Sequence, residues 1–307
     1  MQKIQLTQRR QFLQSAGIAT CAAGLLATTG IADETVSAKK TGWLRKTLKV
    51  GMIKANGLEQ KFKIALQAGF EGVELNVPGV KIDEAVAAAK KTGIVIDGTV
   101  GNYHWKIRHT DPSADTRAEA LKRLIGGIEE TAKLGGTSML LVPGHGKDGS
   151  DAEVYERAVT AVKQALPTAE KHKIQILIEN VWNDFCFDQE GGSDQTAERL
   201  AKFIDEFKSP LVGVQYDIGN HWKYGDPAEW IRTLGDRIKK LDIKGFSRAS
   251  GKFTKITEGD IKWPEVEKAL RDIKFTGWLA AEVGGGSLDR LREVNDHLEQ
   301  ALNCSKS

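Results

Sequence analysis

The stretch Ile174-Gln175-Ile176-Leu177-Ile178-Glu179-Asn180 decides the fold class. It is a short, mostly apolar run that ends in an acidic residue. A run of this length without regular polar alternation is typical of a strand buried on both faces of a parallel sheet. Patterns with helical periodicity lie on either side of it, at residues 152–171 and 194–207. The stretch is therefore predicted to be the strand of a β-α unit.

The same pattern recurs along the chain. We predict strands at residues 48–53, 72–75, 94–99, 138–142, 174–178, 212–217, 238–243 and 278–282. Helical patterns alternate with them, at residues 58–68, 82–91, 114–134, 152–171, 194–207, 227–234, 264–273 and 288–302. Such alternation predicts parallel strands joined by helices, the α/β class. The number of units fits a single-domain (β/α)8 TIM barrel, which typically needs about 250 residues.

A doubly wound open sheet is the alternative fold. No Gly-x-Gly-x-x-Gly pattern follows the first predicted strand, so a dinucleotide-binding site is not indicated. Hydrophobic residues make up 40% of the 307-residue chain and charged residues 28%, which is typical of a globular protein. The 44 Lys and Arg against 41 Asp and Glu leave a net charge of +3. This balance indicates neither a nucleic-acid partner nor a membrane-surface protein.

The N-terminal residues resemble a twin-arginine export signal. Arg9 and Arg10 precede Phe12 and Leu13, and a weakly apolar run follows at residues 16–31. The run is too weakly apolar for a stable membrane span. We expect residues 1–38 to be a signal peptide and linker, and residues 39–307 to form the barrel. The mature protein would then be periplasmic or otherwise exported, with no stable membrane insertion after cleavage.

Acidic residues end four consecutive predicted strands. They are Glu179, Asp217, Asp242 and Glu282. Active-site residues of such barrels lie at the C-terminal ends of the strands. Buried carboxylates that lie close together repel one another unless a cation is bound between them, and an all-oxygen set favours Mg²⁺ or Mn²⁺. The alternative is that each acid caps the following helix or pairs with a nearby base.

Further polar and aromatic residues are predicted at the same rim. Histidines there are more often packing residues than ligands, a lysine could be a counter-ion for the acids, and aromatic rings could stack on a sugar or shield the barrel entrance. The aromatic residues are Tyr103, Trp105, Trp182 and Trp222. The candidate substrate contacts are Glu74, His145, Trp182, Asn220, His221 and Lys244.

Over residues 48–302 the chain resembles the xylose-isomerase-like barrel superfamily, in its sugar phosphate isomerase/epimerase branch. The resemblance is carried by Ile178-Glu179-Asn180, Tyr216-Asp217-Ile218-Gly219-Asn220 and Ala281-Glu282. It implies that Glu179, Asp217 and Glu282 hold one divalent metal ion, commonly Mn²⁺ or Mg²⁺. At the remaining ligand position the family usually has His-x-Lys-Asp, whereas this chain has Asp242-Ile243-Lys244-Gly245. Asp242 thus replaces the histidine with an oxygen donor, and Asn220 stands where relatives often have a substrate-binding histidine.

The resemblance implies a sugar isomerase or epimerase that moves protons through an enediolate, with Glu179 and Glu282 as the catalytic pair. Export favours a free keto-sugar or glycoside fragment over a sugar phosphate as the small carbohydrate substrate. A metal-dependent lyase or dehydratase acting on a 3-keto-glycoside or inosose is the alternative, as is a non-catalytic sugar-binding barrel. The near-neutral charge and the few histidines disfavour the superfamily's zinc-dependent DNA-repair endonucleases. A homo-oligomer is possible.

Overall fold

The computed structural model describes residues 42–305, all of which belong to one compact unit. The predicted signal peptide and linker at residues 1–38 lie outside the described residues, so the export signal stays a prediction. Within the part described, no helix is long and apolar enough to cross a membrane.

Eight parallel strands close into a barrel, which confirms the predicted TIM barrel. The strands are β1 Leu44–Lys49, β2 Gly72–Val77, β3 Val95–Gly101, β4 Ser138–Leu141, β5 Gln175–Glu179, β6 Val212–Asp217, β7 Ile238–Ile243 and, after a short hairpin, β10 Gly277–Ala281. Their order around the barrel is β1-β10-β7-β6-β5-β4-β3-β2. The four strands predicted to end in acids are therefore neighbours along one side of the barrel.

Helices alternate with the barrel strands as the periodicity predicts. They are α1 Leu58–Gln67, α2 Ile82–Thr92, α3 Ala114–Lys133, α4 Asp151–His172, α5 Glu198–Asp205, α6 Pro227–Leu234, α7 Trp263–Asp272 and α8 Leu288–Leu302. Local sequence explains where several begin. Ser150 and Glu153 form a reciprocal capping box at the start of α4. Asp226 caps α6, and Pro227 occupies its first turn, where a missing N–H costs nothing.

The first strand lies four residues earlier than predicted. The sequence favoured residues 48–53, but β1 spans Leu44–Lys49 and residues 50–52 form a short helical turn. Polar side chains hid the strand, because some of them point into the barrel. The Thr47 hydroxyl donates to the buried Asp97 carboxylate at 2.5 Å. The other seven barrel strands differ from prediction by at most two residues at either end.

A short antiparallel hairpin follows β7. Its strands are β8 Gly245–Ser247 and β9 Lys252–Thr254, between the seventh predicted strand and the seventh predicted helix, where the sequence indicates no strand. Three-residue strands are too short to produce a recognisable alternation. In the hairpin register Phe246 pairs with Phe253. Phe246 is fully buried, whereas Phe253 is 49% exposed.

The barrel interior is charged. The ammonium group of Lys240 on β7 contacts the Asp97 carboxylate on β3 and lies 2.7 Å from the Glu74 carboxylate on β2. Because β7 and β3 are not neighbouring strands, this contact crosses the inside of the barrel. Buried charges need such partners to offset their desolvation. The interior thus holds a polar network that continues upward to the acids at the strand ends.

Candidate metal centre and active site

The four acids that end neighbouring strands meet in space. Glu179 ends β5, Asp217 ends β6, Asp242 lies on β7 directly beside Asp217 in the register, and Glu282 follows β10. One carboxylate oxygen of each lies within 4.8 Å of the others. Three of these residues are buried and Glu282 is half-buried. A donor set of this size and spacing can surround a single cation.

Two asparagines hold the ends of β5 and β6 in place. The Asn180 side chain accepts from the backbone N–H of Asp217 at 2.7 Å and donates to the Asp217 carbonyl at 2.9 Å. The backbone N–H of Asn220 donates to the Asp217 carboxylate at 2.7 Å, and its side-chain amide lies 3.4 Å from Glu179 Oε1. These hydrogen bonds orient the Asp217 carboxylate, so Asn180 and Asn220 position the acids at the ends of β5 and β6.

Lys244 lies between two of the acids. Its ammonium group is 2.8 Å from Asp217 Oδ2 and 2.9 Å from Glu282 Oε2. Burial opposes its charge, but the attraction of the two carboxylates is stronger and raises the pKa of Lys244 above its ordinary value. Lys244 therefore stays charged. Both readings from the sequence, counter-ion and substrate contact, remain compatible with its place on the cavity wall.

Lys49 and Gln215 both contact the Asp242 carboxylate, and the sequence predicts a role for neither residue. The Lys49 ammonium group lies 3.0 Å from Asp242 Oδ1 and 2.6 Å from Glu74 Oε2. The Gln215 amide donates to the same two carboxylates, at 2.9 Å and 3.0 Å. The only signal for Lys49 is a lysine inside an apolar run. Because β1 begins and ends earlier than predicted, Lys49 is its last residue and lies at the level of the strand-end acids.

The charges of the acids are only partly balanced. Burial raises the pKa of Asp217 to about 6 and that of Asp242 to about 7. Burial, followed by repulsion from Glu282, raises the pKa of Glu179 well above its ordinary value. The pKa of Glu282 is lowered, because two lysine ammonium groups outweigh the effect of its burial. Carboxylates that repel one another and bring only oxygen donors fit a hard divalent cation.

A cavity of about 420 Å³ opens beside the acids. Its wall combines the two candidate catalytic glutamates with polar and aromatic side chains. The predicted residues on it are Glu179, Glu282, Trp105, Trp182, Asn220 and Lys244. Lys49, Asn76, His104 and Phe253 also line it, and the sequence did not single them out. The strand-end acids and a space large enough for a sugar are thus in contact.

Three other predicted substrate contacts lie away from this wall. Glu74 lies beneath the acids, fully buried between Lys49 and Lys240. His145 caps a short helical turn after β4, where it accepts from the backbone N–H of Lys147. His221 is buried with its ring 4.6 Å from Phe187 and 4.5 Å from Trp230. The structure thus places Glu74 in ion pairs, His145 at a helical cap and His221 in an aromatic cluster, outside the lining of this cavity.

Two curated proteins resemble parts of the chain. An uncharacterized protein, MJ1311, of Methanocaldococcus jannaschii is 26% identical over 137 residues, which cover 43% of this chain and 44% of that protein. The D-psicose 3-epimerase of Enterocloster bolteae is 30% identical over 128 residues, which cover 41% of this chain and 39% of that enzyme. The chain therefore matches less than half the length of either relative.

Solved structures match over most of the chain. A structure of L-ribulose 3-epimerase has a TM-score of 0.71 at 16% identity and covers 85% of this chain and 95% of its own. The 3-keto-D-glucoside 4-epimerase of E. coli has a TM-score of 0.69 at 16% identity and covers 85% of this chain and 100% of its own. At these identities the likeness shows the fold alone.

A family assignment comes from the sequence match over residues 62–306, well over half of the chain, to the family described as the xylose isomerase-like TIM barrel. The match covers all four strand-end acids and the strands β5, β6, β7 and β10 that carry or precede them. The chain belongs to the xylose isomerase-like TIM barrel family.

Proposed function

We propose that the protein is a divalent-metal-dependent sugar epimerase or isomerase that moves a proton next to the carbonyl of a keto-sugar. One observation carries the proposal: Glu179 and Glu282 belong to the acid cluster and also line the cavity. A group in that position can touch both a cation and a bound sugar. The names of the similar proteins support the same class, since D-psicose 3-epimerase and L-ribulose 3-epimerase are both sugar epimerases.

Different residues of the site would bind the metal ion, transfer the proton and bind the sugar in such a reaction. A Mn²⁺ or Mg²⁺ ion held by Glu179, Asp217, Asp242 and Glu282 would supply Lewis-acid polarisation of the carbonyl and charge stabilisation for an enediolate. One glutamate removes the proton beside the carbonyl, and the other returns a proton to the opposite face of the sugar. Lys244, charged and on the cavity wall, is placed to hold a sugar hydroxyl.

The place of proton return decides the product. Return to the same carbon from the other face gives an epimer, and return to the adjacent carbon gives an isomer. Loss of a leaving group instead of reprotonation gives elimination, the alternative for a 3-keto-glycoside or inosose. All three outcomes use the same two glutamates, so product analysis distinguishes them.

Deuterium incorporation tests the proposal. Protein loaded with Mn²⁺ or Mg²⁺ is incubated in D₂O with D-psicose, D-tagatose, L-ribulose and D-fructose, and the products are followed by NMR. We expect deuterium at the carbon beside the carbonyl of at least one sugar, together with formation of its epimer or of the corresponding aldose. Glu179→Gln and Glu282→Gln should each lower the exchange rate by about 100-fold or more.

Glu229→Gln is the matched control, because Glu229 lies exposed on α6, where its carboxylate forms an ion pair with Arg232. It should exchange at the wild-type rate. The proposal is wrong if neither metal supports exchange into any of these sugars or into a methyl 3-keto-glycoside, or if both glutamine variants at the cluster keep full exchange.

We also propose that the protein is exported and acts on sugars that carry no phosphate. The support is the Arg9-Arg10 pair and the apolar run that follows it. Cell fractionation of the full chain and of an Arg9→Lys, Arg10→Lys double variant tests it. Export of the wild type and retention of the variant inside the cell are expected, and retention of both would contradict the proposal.

A further inference from the structure

Exposed aromatic side chains concentrate at the candidate active site. Among residues 42–305, the exposed large hydrophobic side chains are Val86, Val95, Trp105 and Phe253. The two aromatic ones, Trp105 at 52% and Phe253 at 49% exposure, both line the cavity that contains Glu179 and Glu282. Aromatic surface left open beside a cavity marks a contact for a ligand more often than isolated exposed apolar residues do.

The two rings come from opposite sides of the barrel. Trp105 follows β3, and Phe253 belongs to the hairpin that follows β7. In the closed order of the barrel these strands are four places apart in a ring of eight. Trp105 and Phe253 therefore flank the cavity from opposite sides, above the acids that end the strands.

Buried contacts hold the ring of Phe253. It stacks on Trp182 with ring centroids 5.1 Å apart and planes at 26°, and Phe246 packs edge-on against it at 5.3 Å. The Trp182 indole N–H donates to the carbonyl of Asn220, which ties the stack to the end of β6. One side of the Phe253 ring is therefore packed, and about half of the residue remains open to a ligand.

The ring of Trp105 is also held from one side. It packs edge-on against His104, with centroids 5.8 Å apart. His104 is buried and accepts from the backbone N–H of Val142 at 3.2 Å, which fixes it to the end of β4. Pre-positioned aromatic surfaces lose little conformational entropy on binding.

The open space on either side of Phe253 is large enough for more than one sugar ring. A second cavity of about 520 Å³ adjoins the first and shares Lys244, Phe253 and Glu282 with it. Phe253 thus stands where a bound molecule would pass from the acid cluster toward the outer surface. A molecule confined to the acids would leave both exposed rings without a contact.

We propose that Trp105 and Phe253 form an outer subsite that stacks a second ring, the aglycone or second sugar of a keto-glycoside, while the first ring, which carries the carbonyl, reaches Glu179 and Glu282. This inference rests on the proposed function and narrows its substrate class from keto-sugars in general to keto-glycosides. The C–H faces of a sugar and the face of an aromatic aglycone both offer apolar surface to such rings. A rim that merely shields the barrel from water would show no preference for a second ring.

Paired glycosides test the subsite. The binding of the 3-keto derivatives of methyl and phenyl glucosides and galactosides, in both anomers, to the metal-loaded full chain is measured by calorimetry. For at least one pair we expect the phenyl glycoside to bind about tenfold more tightly, the effect of roughly 1.4 kcal/mol. Trp105→Ala and Phe253→Ala should each lower this ratio to about threefold or less, whereas Trp105→Phe and Phe253→Tyr should retain most of it.

Val86→Ala is the control, because Val86 is an exposed apolar residue of α2 outside both cavities. It should leave the ratio unchanged. Phenyl and methyl glycosides that bind equally, or that do not bind at all, overturn the inference, as does a ratio that survives both alanine variants. Deuterium exchange into D-psicose is measured in parallel. Exchange without a phenyl preference rejects the subsite alone, whereas a ring-dependent preference without exchange into any of the keto-sugars or keto-glycosides rejects the proposed function.

Discussion

At the scale of single residues, Asp242 is where this chain departs from the ligand pattern that its resemblance to the family implies. Relative to the histidine of that pattern, a carboxylate adds a negative charge to a buried site. Lys49, 3.0 Å away, supplies a positive charge, and Gln215 supplies an amide donor. The replacement is thus accompanied by partners that keep the carboxylate oriented. Four oxygen donors without nitrogen should favour harder ions than the family pattern does.

Substitution of Asp242 tests its place in the donor set. We expect Asp242→Asn to weaken Mg²⁺ and Mn²⁺ binding about tenfold or more, because an amide carries no charge to attract the cation. Asp242→His should shift the preference toward Zn²⁺, since imidazole suits softer ions. Calorimetric titration of metal into metal-free protein measures both. Asp205→Asn, at an exposed acid of α5 paired with Arg237, is the control. Unchanged Mg²⁺ affinity in Asp242→Asn would remove Asp242 from the donor set.

Lys49 should matter for stability as much as for the site. Lys49→Met removes the cation that two fully buried carboxylates, Glu74 and Asp242, share. We expect the free energy of unfolding of metal-free protein to fall by about 3 kcal/mol, because the carboxylates lose a buried partner. Urea titration measures this. Lys63→Met breaks the exposed pair with Glu59 and should cost less than about 1 kcal/mol. Equal effects of the two variants would show that the Lys49 pairs contribute little.

At the scale of elements, the predictable parts are those with a strong local signal. Apolar runs that end in an acid reveal β5 and β6 and, with them, Glu179 and Asp217. The signal fails at β1, where Thr47 and Lys49 point into a charged barrel and make a buried strand look polar. It also fails for histidines. A position after a strand does not show whether a ring faces the cavity, as His104 does, or packs into an aromatic cluster, as His221 does.

The hairpin of β8 and β9 depends on Asp260. This carboxylate accepts from the backbone N–H of Arg248 at 3.0 Å and of Ala249 at 3.2 Å, and also from the Trp222 indole. These hydrogen bonds outweigh desolvation and lower the pKa of Asp260 to about 2. Because a lowered acid pKa favours the ionised form, the contacts persist until the pH falls toward that value.

Asp260→Ala should therefore loosen the hairpin without touching the acid cluster. We expect faster amide hydrogen exchange in residues 245–254 and a smaller preference for phenyl over methyl glycosides. Metal affinity should stay within about twofold of wild type, since distant sites act independently. Asp289→Ala, at an exposed acid in the first turn of α8, is the control. Unchanged exchange in the hairpin would show that Asp260 does not hold it.

At the scale of the whole molecule, a near-neutral chain conceals a negative interior. Within residues 42–305, five of the six interior carboxylates, those of Glu74, Asp97, Asp217, Asp242 and Glu282, form ion pairs with only three lysines, Lys49, Lys240 and Lys244. The sixth, Glu179, forms no ion pair with a lysine there. The net charge of +3 therefore comes from the rest of the chain and says nothing about the site. Composition could exclude classes of partner, but only the folded barrel shows that acids from strands far apart in sequence share one interior.

Three buried histidines make the stability of the folded protein depend on pH. Burial lowers the pKa of His104 to about 3, of His109 to about 4 and of His221 to about 3. In the unfolded chain a histidine titrates near ~6.5. Between these values the unfolded state binds more protons, so each histidine makes stability rise with pH. This stability is complete above about pH 6.5 and is lost progressively as the pH falls toward about 4 for His109 and about 3 for His104 and His221.

Replacing one of these histidines measures its contribution to the pH dependence of the unfolding free energy. In metal-free protein the raised pKa values of Asp217 and Asp242 make stability fall as the pH rises, so the total slope combines opposing contributions. The difference in slope between wild type and a histidine variant reports the contribution of that histidine. We expect His221→Leu to lower the slope of unfolding free energy against pH by about 1.4 kcal/mol per pH unit between about pH 4.5 and 6. Trp230→Phe alters the same aromatic cluster without a titratable group, so it should lower stability and leave the slope unchanged. Urea titrations across this range measure both, and equal slopes in wild type and His221→Leu would mean that His221 takes up a proton in the folded state.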